Sequence, residues 1–388
     1  MLVKPFLKNI LYNRDFFFFI PFRRMNIIVN IYVFLFIAVY FLFLDNKRAQ
    51  CYNDFGVLFA QNTQNTDSKG DLFMMQYDPD RYPKCSVPAA DVARVKGLGF
   101  LRDKRTADRF NCRVVTGNGK LTANKLQAIA EAAKSFGSGE VALTSRMNIE
   151  VQGIPFENIE AFTAFLAKHD LEPGGTGPRV RPVVSCKGTS CVFGLIDTYG
   201  LSEKIHHLYY KGYHGVKLPH KFKIAVGGCP NNCVKPDLND VGIIGQWVPV
   251  LNAEACVGCG ACVKACPVSA CRIEDAKYVC TEKACNSCGR CVRACHVGAL
   301  AYEPGYRVTL GGRWGKKVAR GQALSHLFTS EDEVLAVVEK TILLFRDLGT
   351  AGERFADTLA RIGMDKAEQL LLSDELLNRK EEILAKAL

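Results

Sequence analysis

Twelve of the chain's seventeen cysteines stand in three ordered groups, and thiolates grouped this way are ligands for iron and sulfur. Cys256, Cys259, Cys262 and Cys266 form one C-x2-C-x2-C-x3-C run, and Cys285, Cys288, Cys291 and Cys295 form another. Two such runs predict two [4Fe–4S] clusters, the fourth cysteine of each run serving the other cluster. Cys256, Cys259, Cys262 and Cys295 would then hold one cluster, and Cys285, Cys288, Cys291 and Cys266 the second. The remaining group is split: Cys186 and Cys191 have four residues between them, and Cys229 and Cys233 have three. Disulfides fit poorly, because cysteines so close in sequence are badly placed to staple a domain. Zinc also fits less well, because the regular triple spacing with an exchanged fourth ligand suits a cubane. Cys51, Cys85, Cys112, Cys271 and Cys280 fall outside the pattern and read as core or loop thiols.

Free thiolates in this number imply a reducing compartment, so the expected location is the cytoplasm. A chain of 388 residues, 48% apolar, has room for two or three globular domains. The formal charge is +11, and residues 1–50 alone carry seven basic side chains against Asp15 and Asp45. The rest is too diffuse to suggest a nucleic-acid partner. Residues 1–74 stand apart from the organised sequence. Ile27 to Leu44 is an apolar run that reaches the lower length limit of a membrane span. Residues 1–74 are therefore expected to be an N-terminal extension outside the mature protein, a region with a membrane segment at 27–44, or an amphipathic or buried segment.

The elements that must position the cysteines follow from periodicity. Residues 75–180 read as a small α+β lobe, with strands at Phe110–Val115, Val141–Thr144 and Asn148–Gln152. Thr122 caps a helix whose apolar face is traced by Leu126, Ile129, Ala130 and Ala133, and Pro155 opens another with Ile159, Phe162 and Leu166. The order suggests a split βαβ arrangement, and glycine-rich 172–178 reads as a linker. In residues 181–250, one strand ends before Cys186, Ser202–Tyr210 is helical, and Phe222–Val226 is a strand leading to Gly227-Gly228-Cys229. Residues 251–300 hold the two cysteine runs. Residues 301–388 return to a strand at Val308–Leu310 and end in helices, the first with a Ser330/Glu333 capping box. No position in these helices suggests chemistry.

From about Asp80 onward the chain resembles the siroheme-dependent nitrite and sulfite reductases, most of all the small one-repeat enzymes such as the anaerobic sulfite reductase catalytic subunit. The resemblance rests on Val184-Ser-Cys-Lys-Gly-Thr-Ser-Cys191, Leu218-Pro-His-Lys-Phe-Lys223 and Gly227-Gly-Cys-Pro-Asn-Asn-Cys233. The gap between Cys186 and Cys191 is one residue shorter than the family's commoner pattern, and Gly188 lies within it. The resemblance implies an α+β half-repeat, a ferredoxin-like lobe plus a siroheme and [4Fe–4S] lobe, here with a two-cluster ferredoxin insertion. It implies that Cys186, Cys191, Cys229 and Cys233 hold a third cluster and that Cys233 bridges it to siroheme. It assigns Arg113, Arg181, Lys221 and Lys223 to the substrate anion and Arg146 to a siroheme carboxylate. Period-two geometry in Lys221-Phe222-Lys223 independently puts both ammonium groups on one face.

The reaction so implied is the six-electron reduction of sulfite to sulfide, with electrons relayed through the clusters. The alternatives are nitrite reduction to ammonia, or a non-catalytic electron-transfer subunit. The larger relatives contain two repeats and this chain one, so a second copy or other subunits are expected to complete the site. The absence of a flavin or nicotinamide signature points to an external electron donor.

Overall fold

The computed structural model describes residues 82–387. The apolar run at 27–44 lies outside them. Among the described residues no helix is long and apolar enough to cross a membrane.

The first lobe begins with α1 (Ala89–Gly97) and β1 (Phe100–Arg102), neither of which the apolar pattern predicts. β1 has three residues, too few for alternation to register, and Phe100 is fully buried. There follow β2 (Arg109–Val114), α2 (Ala123–Phe136), β3 (Val141–Leu143), β4 (Ile149–Pro155) and α3 (Ile159–Ala167). The strands form an antiparallel sheet in the order β1-β2-β4-β3, with a bulge between Phe110 and Cys112. Thr122 caps α2, its side-chain oxygen accepting from the Lys125 N–H at 3.3 Å. The buried face of α2 is Ala128, Ile129, Ala132 and Ala133, while Leu126 and Ala130 are exposed. Short alanines let α2 lie close to β4 and α3, so packing rather than side-chain size chose the face. Ile159, Phe162 and Leu166 are buried on α3 as their spacing predicts.

Residues 172–178 are no free linker. The Gly174 N–H donates to the Arg113 carbonyl at 2.9 Å, and the Gly175 N–H donates to the Tyr210 hydroxyl at 3.1 Å. The first bond ties the stretch to chain that precedes it and the second to chain that follows it.

The second lobe is a mixed sheet in the order β11-β10-β7-β6-β5. β5 (Val184–Ser185), β6 (Ile224–Gly227) and β7 (Val241–Leu251) are parallel, whereas β10 (Leu300–Leu310) and β11 (Gln322–Ala323) are antiparallel additions. α4 (Thr198–Ile205) continues into a π-helical turn at His206–Lys211, lengthening the helix expected at 202–210. The lobe's core is closed by α7 (Glu331–Leu348), which buries Val334, Val337, Val338 and Thr341. The Ser330 hydroxyl accepts from the Glu333 N–H at 3.3 Å, and the Glu333 carboxylate accepts from the Thr329 N–H at 2.9 Å. α8 (Phe355–Ile362) and α9 (Met364–Leu372) pack beside it.

The cysteine runs occupy a module spliced into one hairpin. β7 and β10 pair over eleven positions, from Val241↔Leu310 to Leu251↔Leu300, and the module leaves and returns at the Leu251↔Leu300 end. Inside it are two short helical turns, α5 (Ala261–Ala265) and α6 (Arg290–Ala294), and the hairpin of β8 (Cys271–Glu274) and β9 (Lys277–Cys280). Its small core is largely sulfur, with Tyr278 and Leu300.

Candidate functional site

The split cysteine group is assembled by two loops at the C-terminal ends of β5 and β6. They meet at glycine: a Cβ on Gly188 would stand 2.8 Å from the Gly228 Cα, and one on Gly228 would stand 2.8 Å from the Gly188 Cα. Only hydrogen fits between these backbones, and the contact brings Cys186 and Cys191 beside Cys229 and Cys233. Burial pushes the Cys229 thiol up, and the neighbouring sulfurs of Cys186, Cys233 and Cys191 push the same way. The Gly228 N–H donates to Cys186 Sγ at 3.1 Å.

The module sorts its eight cysteines into two cavities. One is lined by Cys256, Cys259, Cys262 and Cys295, the other by Cys266, Cys285, Cys288 and Cys291. The fourth cysteine of each run therefore faces the other run's cavity. Backbone N–H groups of Ala270 and Ser287 donate to Cys266 and Cys285 sulfur at 3.2 and 3.3 Å. Cys271 lines the second cavity, and its thiol donates to the Tyr278 hydroxyl at 3.6 Å. Among the described residues, no group of three or more His, Cys, Asp or Glu side chains is arranged to hold a single metal ion. A single ion needs its ligands about 2.0–2.3 Å from one point. A four-iron cube takes its four thiolates at separate corners, and all-sulfur quartets with N–H donors to sulfur fit that group.

The basic residues gather at the opposite end of the same strands. Arg181 lies ahead of β5, and Lys221 and Lys223 lie ahead of β6, which starts later than the sequence suggests. Phe222 between the lysines is fully buried and bridges to Val180. From the first lobe come Arg113, at the end of β2, and Arg146, just before β4. Arg146 donates to Asn239 Oδ1 at 2.9 Å and to the Pro182 carbonyl at 2.7 Å. Arg181 donates to the Gly175 carbonyl. Arg113 is weakly paired with Glu150 at 3.4 Å.

These charges disturb one another. Burial first lowers Arg146 to about 10, with Asp240 opposing and Arg181 and Arg113 reinforcing the shift. Burial, then Arg113, lowers Arg181 to about 10. Burial, then Arg146 and Arg354, lowers Lys223 to about 8. Lys221 is lowered by burial, then by Arg354 and Arg181. The Nε atoms of Arg146, Arg181 and Arg354 are buried with no partner among the described residues. Excess half-buried cation with unspent Nε donors is what a polycarboxylate and a small oxyanion would satisfy.

Arg354 is the member that sequence reasoning missed, since the C-terminal helices suggested no chemistry. It stands at the start of α8 and donates to Asp240 at 3.1 Å, and the Asp240 side chain is fully buried. Asp240 also accepts from the Lys223 N–H at 2.8 Å. Arg354 is 114 residues from Asp240, and no local motif marks it.

In one copy of the chain the cationic group does not lie on the split cysteines. The four residues of β6 separate Lys223 from Gly228, five steps or about 16 Å of extended chain. A cavity of about 660 Å³ lined by Lys120, Glu203 and His206 lies elsewhere, and none of the five predicted basic residues borders it.

The described features have counterparts in known proteins. Residues 102–169 match the nitrite/sulfite reductase ferredoxin-like half domain, and residues 176–380 match the nitrite and sulphite reductase 4Fe-4S domain. The coenzyme F420-dependent sulfite reductase of Methanocaldococcus jannaschii is 36% identical over 246 residues, 62% of this chain and 38% of that protein. One of the subunits of the anaerobic sulfite reductase of Salmonella typhimurium is 34% identical over 268 residues, 64% of this chain and 78% of that protein. The match thus spans little more than a third of the first relative and over three quarters of the second. The fold resembles the crystal structure of dissimilatory sulfite reductase I, with a TM-score of 0.56 at 23% identity, covering 68% of this chain and 69% of that one. With the 4Fe-4S domain spanning more than half its length, the chain belongs to the nitrite and sulphite reductase family and carries a ferredoxin-like insertion.

Proposed function

We propose that the protein is the catalytic chain of a siroheme-dependent sulfite reductase of the anaerobic, one-repeat type. The observation that carries this reading is the half-buried cationic group of Arg113, Arg146, Arg181, Lys221 and Lys223, in which the Nε atoms of Arg146 and Arg181 are buried with no partner among the described residues. A plain electron carrier has no use for it, because burying unpaired charge is destabilising unless a ligand compensates. Cys186, Cys191, Cys229 and Cys233 would hold the coupled cluster, with Cys233 shared with siroheme. The two module quartets would hold the relay clusters. When bound, siroheme with its cluster supplies stored electrons and an open metal face for a small anion.

The chain's own residues bind and orient. Arg113, Arg181, Lys221 and Lys223 offset charge on the anion and favour departure of its oxygen as water. Arg146 holds a tetrapyrrole carboxylate. Lys223, with its proton loosened first by burial and then by Arg146 and Arg354, is the group best suited to give a proton near neutral pH. An anion at a group held by the split cysteines would need cations nearer than the roughly 16 Å that separates Lys223 from Gly228 along β6. That spacing supports a paired site, in which the cations of one copy face the cysteines of another. An external protein or partner subunit supplies electrons.

The test is the visible spectrum of anaerobically isolated protein, followed by turnover with reduced viologen. Tetrapyrrole bands with sulfite turnover are expected. Bands with turnover of nitrite alone would make it a nitrite reductase. Iron–sulfur absorption with no tetrapyrrole would leave an electron-transfer subunit and overturn the proposal.

A further inference from the structure

We infer that Trp247, held by Arg293, is a positioning residue that fixes the second module quartet (Cys266, Cys285, Cys288 and Cys291) against the split cysteine group. That quartet is thereby the inner relay site, and Cys256, Cys259, Cys262 and Cys295 form the outer one. This rests on the reading that all three quartets carry clusters.

Trp247 lies in the middle of β7, and its ring lines the cavity of the second quartet. Its backbone N–H donates to the Ser287 carbonyl at 2.8 Å, and it forms a parallel bridge with Cys288. On the other side its indole N–H donates to the Leu195 carbonyl at 3.3 Å. The Leu195 N–H donates to the Gly228 carbonyl at 2.9 Å, and the Gly228 N–H donates to Cys186 Sγ. Three hydrogen bonds, joined through the backbone of Leu195 and Gly228, thus link the wall of the second quartet to a thiol of the split group.

Two further contacts hold the ring. Tyr302 stacks on it at 3.7 Å with an interplanar angle of 11°. The Arg293 guanidinium sits 4.9 Å from its centroid, within cation–π range. Arg293 belongs to α6, the same turn as Cys291, and its other contacts leave the module: it donates to the Val192 carbonyl and, at 3.3 Å, to the Gly194 carbonyl. Gly194 in turn donates to the Cys191 carbonyl at 2.8 Å. Gly289, at φ +68°, has no room for a side chain, since a Cβ would stand 2.8 Å from the Trp247 ring. α6 also leads into Cys295 of the outer quartet, but Trp247 does not line the outer cavity. Cys259 is exposed, and Val257 and Val297, which line its cavity, are exposed as well. Electrons would therefore come in at the outer quartet and leave through the inner one.

The experiment uses anaerobic holoprotein, with a reduced viologen radical as the one-electron source. Each electron leaves the viologen, reduces the module and passes to the split-group cluster. Stopped-flow absorption should resolve module reduction first and split-group reduction second. Electron paramagnetic resonance of the fully reduced protein reads the magnetic interaction between neighbouring clusters. Trp247→Phe keeps the stack and loses the bond to Leu195, while Arg293→Ala loses both carbonyl anchors. Both are expected to slow the second phase several-fold and weaken the magnetic interaction, with the first phase and iron content unchanged. Lys277→Met, which removes anchors to Ala253 and Cys256 on the outer side, should leave the second phase alone. A second phase and magnetic splitting unaltered in both Trp247→Phe and Arg293→Ala would overturn the inference, as would equal slowing in Lys277→Met. If a variant loses iron, the magnetic interaction in its remaining holo fraction decides. Wild-type protein with iron–sulfur signals but no tetrapyrrole would defeat the sulfite reductase reading, while the magnetic test of this one would still stand.

Discussion

Replacing Arg354 with Met should destabilise the second lobe far more than a tail residue ordinarily would. The Asp240 carboxylate is fully buried, and its two acceptor oxygens face Arg354 at 3.1 and 3.4 Å and the Lys223 N–H at 2.8 Å. Burial pushes the Asp240 carboxyl up, with Arg354 first among the groups opposing the shift. Removing the guanidinium leaves a buried carboxylate with one backbone donor and nearby ammonium charge. Breaking such a pair costs about 3–5 kcal/mol. At roughly 2–4 °C per kcal/mol for a large domain, the apparent Tm should fall by roughly 10 °C. The assay is a double-mutant cycle on holoprotein with Arg354→Met, Asp240→Asn and the pair together. The double variant should regain most of the loss, because the charge needing a partner is gone. The pH dependence has a definite sign. Without Arg354 the folded-state pKa of Asp240 rises further above its unfolded value. The folded protein then holds a proton that the unfolded chain releases, so stability present at low pH is lost as pH rises through the folded pKa. The Arg354→Met penalty should therefore shrink on acidification. A Tm change within experimental error, or an equal change in the Asp240→Asn background, would refute the pairing as the cause.

Three further outcomes are expected. Nitrite stays ionised across neutral and alkaline pH, so kcat/KM for nitrite should fall as pH rises through about 8, where Lys223 loses its proton, and Lys223→Arg should flatten that limb; an unchanged limb in the arginine variant counts against Lys223 as the titrating group. Cys233→Ala should abolish tetrapyrrole binding while retaining the module's iron and its resonance signals, and simultaneous loss of every cluster signal would show that the quartets are not independent. Ser330→Ala should lower stability by about 1 kcal/mol through loss of the α7 cap, measured by denaturant midpoint, and no shift would mean that the Glu333–Thr329 bond suffices.

The cysteine quartets were legible in the chain because a cluster demands its ligands at short, fixed intervals, and local spacing survives in one dimension. The placement of each run's fourth cysteine in the other run's cavity could be read for the same reason. The buried helical face Ile159, Phe162 and Leu166 and the Thr122 and Ser330 caps are likewise local consequences of periodicity and hydrogen-bond supply. The α2 face was misread because Leu126 is the larger apolar residue, yet the close approach of α2 to β4 and α3 favours alanines.

The rest was decided by contacts between distant segments. The sequence by itself determined which atoms could bind iron, sulfur and anions. Tertiary structure alone decided that Arg354 joins the cations, that the module hangs from the far end of the β7–β10 hairpin, and that Trp247 and Arg293 tie one quartet to the split group. It also put the cations and the split cysteines at opposite ends of β6. Ligand identity is a property of side-chain chemistry, which each residue carries with it. Proximity between residues a hundred positions apart exists only once the sheet has set strand order and register.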